Sequence, residues 1–272
     1  MKKITVFSAI LLAVAATFNS CITKHMFSKD YVENAGCGLN MKMVYVKGGS
    51  FKMGATSEQQ GLDTIDEYPV HTVTLDSYYI GECEVTQEQW SKIMGSTIFQ
   101  QQRMANCDTG IAGFGNNYPM YYINWSEAQA FCRELSRRTG KNYILPTEAQ
   151  WEYAARGGRH HEDTMYSGSD NIYSVSSGQY VSNCEVKQKR PNKLGLYDMS
   201  GNVWEWCNDW YSEGYYSLSP QHNPGGPYSG VRRILRGGSW KAKVGDCRVS
   251  NRARSNPTDR DDNNGFRVVC IP

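Results

Sequence analysis

Charge of one sign is scarce in this 272-residue chain: 29 Lys and Arg against 27 Asp and Glu leave a formal net charge of +2. No broad field of one sign draws it to nucleic acid, which is not expected as a partner. Histidine is scarce too, at 25, 71, 160, 161 and 222. His160 and His161 fall in a polar loop, where solvation is the expected fate. No internal repeat is visible, and no second domain boundary, which leaves one domain. Nine cysteines are present, but no spacing among them reads as a compact disulfide framework.

The long apolar run at the start, Ile4 to about Phe18, follows Lys2 and Lys3 and ends in small or polar residues before Cys21. It is too short and too abruptly ended for a stable membrane span and reads as a secretory signal peptide over 1–20. The cysteine directly after Asn19-Ser20 suggests a lipoprotein signal, with Cys21 the acylated first residue of an exported, membrane-anchored chain, periplasmic or at the cell surface. Residues 21–40 read as a tether. The eight other cysteines, in an oxidising compartment, permit four disulfides, although Cys132 lies among the apolar positions of a helix; the pairing stays open.

What remains, about 250 residues, suffices for one large core. A hydrophobic fraction of 40% argues for a folded body, and 26 glycines, 18 tyrosines and seven tryptophans for a loop-rich one held by aromatic packing. The stretch MVYVKGGSFKMG predicts two strands forming a hairpin around Gly48-Gly49, and VHTVTLDSYYIGECEVT one or two more. Three helices are predicted from capping boxes at Thr86/Gln89, Ser126/Gln129 and Thr147/Gln150. Beyond Gly157 only Val231–Leu235, Arg248–Ser250 and Phe266–Cys270 look strand-like. The expected class is one α+β domain over 41–272.

Several phrases together, MVYVKGGSFKMGA, EVTQEQW, INWSEAQAFC, LPTEAQWEYAARGG, GLYDMSGNVWEWCNDW, RILRGGSW, CRVSNR and NNGFRVV, resemble the formylglycine-generating enzyme or sulfatase-modifying-factor family. The resemblance covers nearly the whole mature chain in the family's order, and implies an irregular C-type-lectin-like fold with little regular secondary structure. It does not by itself imply catalysis, because the family includes copper oxidases that make formylglycine in sulfatases, iron-dependent sulfoxide synthases, gliding and secretion lipoproteins, and binding proteins diversified by retroelements.

In the oxidase, two cysteines in a pattern like RGGSxxCxxxxC bind Cu(I), a soft ion that favours paired thiolates. Here RGGSWKAKVGDC keeps Cys247 but has Ala242 at the first position, between Lys241 and Lys243, so Cu(I) is not expected. Cys247, with Ser239 and Trp204, is the catalytic candidate only if another thiol, Cys207 or Cys270, replaces the missing one. The iron-dependent branch fits no better, since its three histidines come largely from an additional helical domain. The resemblance further implies calcium held by Asp198 and Glu205 side chains and Gly201 and Val203 carbonyls, all hard oxygen ligands. Trp204 and Trp206 should point opposite ways, one to the core and one to the groove beside Ser239. Arg236, Arg248, Arg252, Arg254 and Arg267 read as ion pairs holding irregular backbone, with an anion site as the alternative. The segment Trp240 to Asp262, with Trp240, Arg248, Arg252 and Arg254, is the candidate binding loop. The reading that results is a non-catalytic binding module for an envelope or extracellular protein, peptide or glycan; the alternatives are a formylglycine-generating oxidase and a gliding, secretion or retroelement-diversified protein.

Overall fold

The computed structural model of the protein describes residues 29–61, 64–106, 110–177 and 181–272. The signal segment, Cys21 and Cys107 lie outside them. Eleven short strands and four helices appear among the described residues. One sheet has the order β1 (Tyr31–Glu33), β2 (Met41–Val46), β5 (Tyr78–Gly81), β11 (Val269–Ile271), β6 (Asn142–Ile144), which brings both ends of the domain together. A second has the order β10 (Asn264–Gly265), β7 (Trp204–Trp210), β8 (Arg233–Arg236), β9 (Ala253–Ser255). The third pairs β3 (Gly49–Met53) with β4 (His71–Leu75).

Two expectations change here. Strands β2 and β3 exist, but they do not pair with each other: β2 lies between β1 and β5, and β3 turns away to β4. The expected tether is shorter, because Tyr31–Glu33 pairs antiparallel with Met41–Met43 and Glu33 is buried between Lys141 and Tyr143.

Helix α1 (Gln87–Met94) and helix α4 (Glu148–Ala155) start at the predicted boxes, with Thr86 accepting from the Gln89 amide and Thr147 from the Gln150 amide. Helix α3 (Trp125–Thr139) starts two residues earlier than predicted: Asn124 is its cap and Glu127 the reciprocal partner. It ends at Gly140, whose φ of 71° needs glycine. Helix α2 (Ile98–Ala105), capped by Thr97, was not expected; Phe99 and Met104 face solvent, so its apolar stripe is faint. Arg248–Ser250 is not a strand; β9 forms three residues later.

The core has two main apolar bodies. In one, Trp90 stacks on Phe131 at 5.8 Å and Phe266 stands edge-on to both. In the other, Tyr78, Trp151, Tyr153 and Val269 pack around α4 and the first sheet. Cys37, Cys83, Cys132, Cys184, Cys207 and Cys270 are free thiols, so the four-disulfide possibility is not realised among the described residues.

Asp209, on β7, is buried and accepts from the Glu148 amide at 3.0 Å. Burial, then the charge of Glu148, pushes its carboxyl up from 3.8 to about 8. Between those values the folded chain keeps a proton that the unfolded chain releases, so this group makes stability fall as pH rises from about 4 to 8. Asp209→Asn, which keeps an acceptor for the amide, is expected to unfold at higher urea than wild type at pH 9, with the advantage shrinking towards pH 5. Parallel urea profiles of the two proteins across that range would refute the assignment.

Candidate functional site

Strand β7 carries the WEW phrase, and its tryptophans, two residues apart, lie on one face and both pack on the Trp90 core, not in the opposite directions expected. Trp206 is fully buried, its indole donating to the Ile123 carbonyl at 3.2 Å. Trp204 is half-buried and packs on a small third cluster with Tyr166, Ile172, Val175, Ala242 and Cys247. The Trp204 backbone N–H donates to the Asn263 carbonyl at 2.7 Å, and the Asn263 side-chain amide donates to Ser239 Oγ at 3.1 Å.

The RGGS turn requires its glycines. Gly238 has φ of 78°, and a Cβ there would collide with the Cys247 sulfur, so the thiol sits directly under the turn. Cys247 ends a 3-10 turn, Val244–Cys247, is fully buried, and its Sγ lies 3.8 Å from the Lys243 carbonyl. Ala242 belongs to the same cluster. Neither thiol weighed as a substitute shares that cluster: Cys207 lies in the α4 core and Cys270 in the Trp90 core. Among the described residues no three His, Cys, Asp or Glu side chains form a metal-holding group.

The arginines divide. Arg248 is fully buried, its guanidinium forked on Glu67 at 2.7 and 2.8 Å. Arg252 is buried on Glu148 at 2.7 and 3.0 Å. Both therefore hold the interior and leave the binding-loop set, a correction that follows from carboxylates more than 100 residues away in sequence. Arg254 is exposed over the Tyr211 ring, and Trp240 is half-buried under the Lys241 ammonium, which pairs with Asp262. His160 and His161 are exposed, and His161 meets Asp163 at 2.8 Å.

The calcium set implied by the sequence is only partly available. Gly201 and Val203 are buried and Asp198 takes the left-handed conformation, φ 57°, with one oxygen accepting from the Lys187 amide at 2.7 Å. Glu205, however, accepts from Arg267 through both oxygens at 2.7 Å and from the Trp151 indole at 2.8 Å. The orphaned acid is one that sequence reasoning missed: Glu84 is fully buried and neither of its oxygens has a hydrogen-bond partner. Burial, then the charges of Asp198 and Glu205, hold its carboxyl well above the usual range. The signal in the sequence was a lone acid between Cys83 and the core residue Val85.

A loop-rich α+β fold whose glycine turn covers a buried cysteine, with a WEW strand beside it, defines a protein of the formylglycine-generating-enzyme type with C-type-lectin-like architecture. The family model "Sulfatase-modifying factor enzyme 1-like domain" matches residues 29–271, and the chain belongs to this family. The formylglycine-generating enzyme of Streptomyces coelicolor is 31% identical over 285 residues, covering 83% of this chain and 88% of that one. A serine/threonine-protein kinase, pkn1, of Chlamydia pneumoniae is 34% identical over 246 residues, but this chain spans only 38% of its length. Among solved structures, Treponema denticola variable protein 1 superposes with a TM-score of 0.74 and 29% identity, over 89% of this chain and 99% of that one.

Proposed function

We propose that this protein is a non-catalytic binding module, exported and held at the cell envelope through a lipid on Cys21, that takes a protein, peptide or glycan partner. The observation that carries the reading is Ala242, whose methyl lies in the cluster around Cys247, at the position where the resemblance implies the first copper thiol of the family's oxidase. A methyl cannot ligate, and a single thiolate is a poor site for Cu(I). Trp204 and Trp240 are half-buried and Arg254 is exposed, which offers aromatic and cationic groups on a scaffold held by buried ion pairs, the arrangement on which recognition residues vary most easily. Likeness to the treponemal variable protein agrees with it.

The formylglycine-generating oxidase remains the second reading, favoured by the match along 88% of the streptomycete enzyme. One experiment separates them. The purified, reduced protein is loaded with Cu(I) and mixed in air with a peptide containing Cys-x-Pro-x-Arg, and mass spectrometry follows the cysteine. The expected result is unchanged peptide and no stoichiometric copper. Aldehyde that disappears in Cys247→Ser would establish the oxidase instead.

A further inference from the structure

Strand β3 has a partner on one side only. In its antiparallel pair with β4, Ser50 stands opposite Thr74 and Lys52 opposite Thr72. The Thr74 N–H donates to the Gln221 carbonyl and the Thr74 carbonyl accepts from the Asn223 N–H, so Thr74 turns its backbone away from β3. Alternation along the pair then gives the ladder bonds to Gly49, Phe51 and Met53 and points the N–H and C=O groups of Ser50 and Lys52 outward, where no backbone group among the described residues meets them. They open into a groove of about 690 Å³, closed on its far side by Gly158, Arg159, His161 and Asp163. Charge there is one-sided. Lys47, Lys52 and Arg159 are exposed, and among the described residues no carboxylate pairs with them: Lys52 donates to the Thr72 hydroxyl at 2.9 Å and Arg159 Nε to the Gly48 carbonyl at 2.7 Å. The acid of the groove, Asp163, is met by His161 at 2.8 Å.

We propose that the free edge of β3 takes up an extended, acidic peptide segment of a partner protein as an added strand. The main chain supplies the affinity, because Ser50 and Lys52 each offer one N–H donor and one C=O acceptor in line with the groove. The strand is five residues long, about 15 Å of edge, enough to register a short segment. The side chains supply the selection. A lysine on an open edge opposes pairing with a neutral or basic strand, and together with Lys47 and Arg159 it favours one that carries Asp or Glu. The same cations disfavour a second copy of this chain, whose β3 would bring Lys52 against Lys52. This surface shares no residue with Trp204, Trp240 and Arg254, and the inference does not rest on the reading given for them.

Fluorescence anisotropy of the full chain with a labelled hexapeptide of alternating threonine and glutamate tests this. The controls are a threonine–lysine hexapeptide and the glutamate peptide N-methylated at every backbone amide, which keeps the charge but removes the donors. The glutamate peptide is expected to bind saturably at submillimolar concentration, and each control at least about tenfold more weakly. Hydrogen exchange followed by NMR locates the contact: the Ser50 and Lys52 amides should exchange rapidly in the free chain and slow when the glutamate peptide is added, whereas the Phe51 amide, already bonded to β4, is protected in both. Ser50→Pro removes an outward N–H without touching the ladder and should weaken binding at least about tenfold. Lys52→Glu, an exposed change, should turn the preference towards the lysine peptide and serves if the proline variant does not fold. The proposal is overturned if the glutamate peptide does not bind at millimolar concentration, if the N-methylated peptide binds equally well, which would mean charge attraction alone, or if the Ser50 and Lys52 amides do not respond to the peptide.

Discussion

Arg236→Ala is expected to lower folding stability by about 3–5 kcal/mol, the usual loss when one member of a buried ion network is removed. The guanidinium is fully buried and donates to Glu148 at 2.9 Å, to Glu152 at 2.7 Å and to the Val249 carbonyl at 2.6 Å. These acids stand one turn apart on α4, so Arg236 ties the helix to β8 and to the loop after Cys247. Arg252 and Arg156 still neutralise Glu148 and Glu152 in the variant, which keeps the loss from being larger, but the carbonyl and the vacated volume stay uncompensated. Arg254→Ala, at the surface, should change stability by no more than about 0.5 kcal/mol. Urea unfolding of both variants decides: a loss below about 1 kcal/mol for Arg236→Ala would mean that the remaining arginines suffice.

Ala242→Cys is expected to hold Cu(I) stoichiometrically, whereas under the proposed reading the wild type is expected not to. The substitution adds a sulfur to a position that already packs in the Cys247 cluster. Two thiolates then replace one, the minimum that a soft, low-coordinate ion requires. Competition with a chromogenic Cu(I) chelator should show about one copper per chain for Ala242→Cys and none for Ala242→Cys combined with Cys247→Ser. Failure of the single variant to retain copper would show that the cluster lacks more than a sulfur, and that Lys241 and Lys243 or the local geometry also oppose the ion.

The two predictions use different kinds of information, and the difference explains what could be read beforehand. Thr86/Gln89 and Thr147/Gln150 were legible as helix starts because a capping box closes within four residues. Asn124/Glu127 and Ser126/Gln129 satisfy the same local rule, and only the folded chain decides for the earlier pair. The strands flanking Gly48-Gly49 were legible for the same local reason, but their partners were not. A tight hairpin is the default for neighbouring strands, whereas here Val44 pairs with Ile80 and Phe51 with Val73.

By itself the sequence determined the family, the α+β character, the helix starts at Thr86 and Thr147, and an alanine at position 242. All of these rest on residue identity at short spacing, and short spacing is set by local geometry and chemical type. Only the tertiary structure decided that Arg248 and Arg252 are interior struts, that Glu205 belongs to Arg267, and that Glu84 is the acid left without a partner. Those outcomes depend on which of many carboxylates meets which guanidinium across 62 to 181 residues of chain. Composition guarantees that charges nearly balance overall, but burial makes each interior site balance separately, and that accounting exists only after the chain has closed on itself.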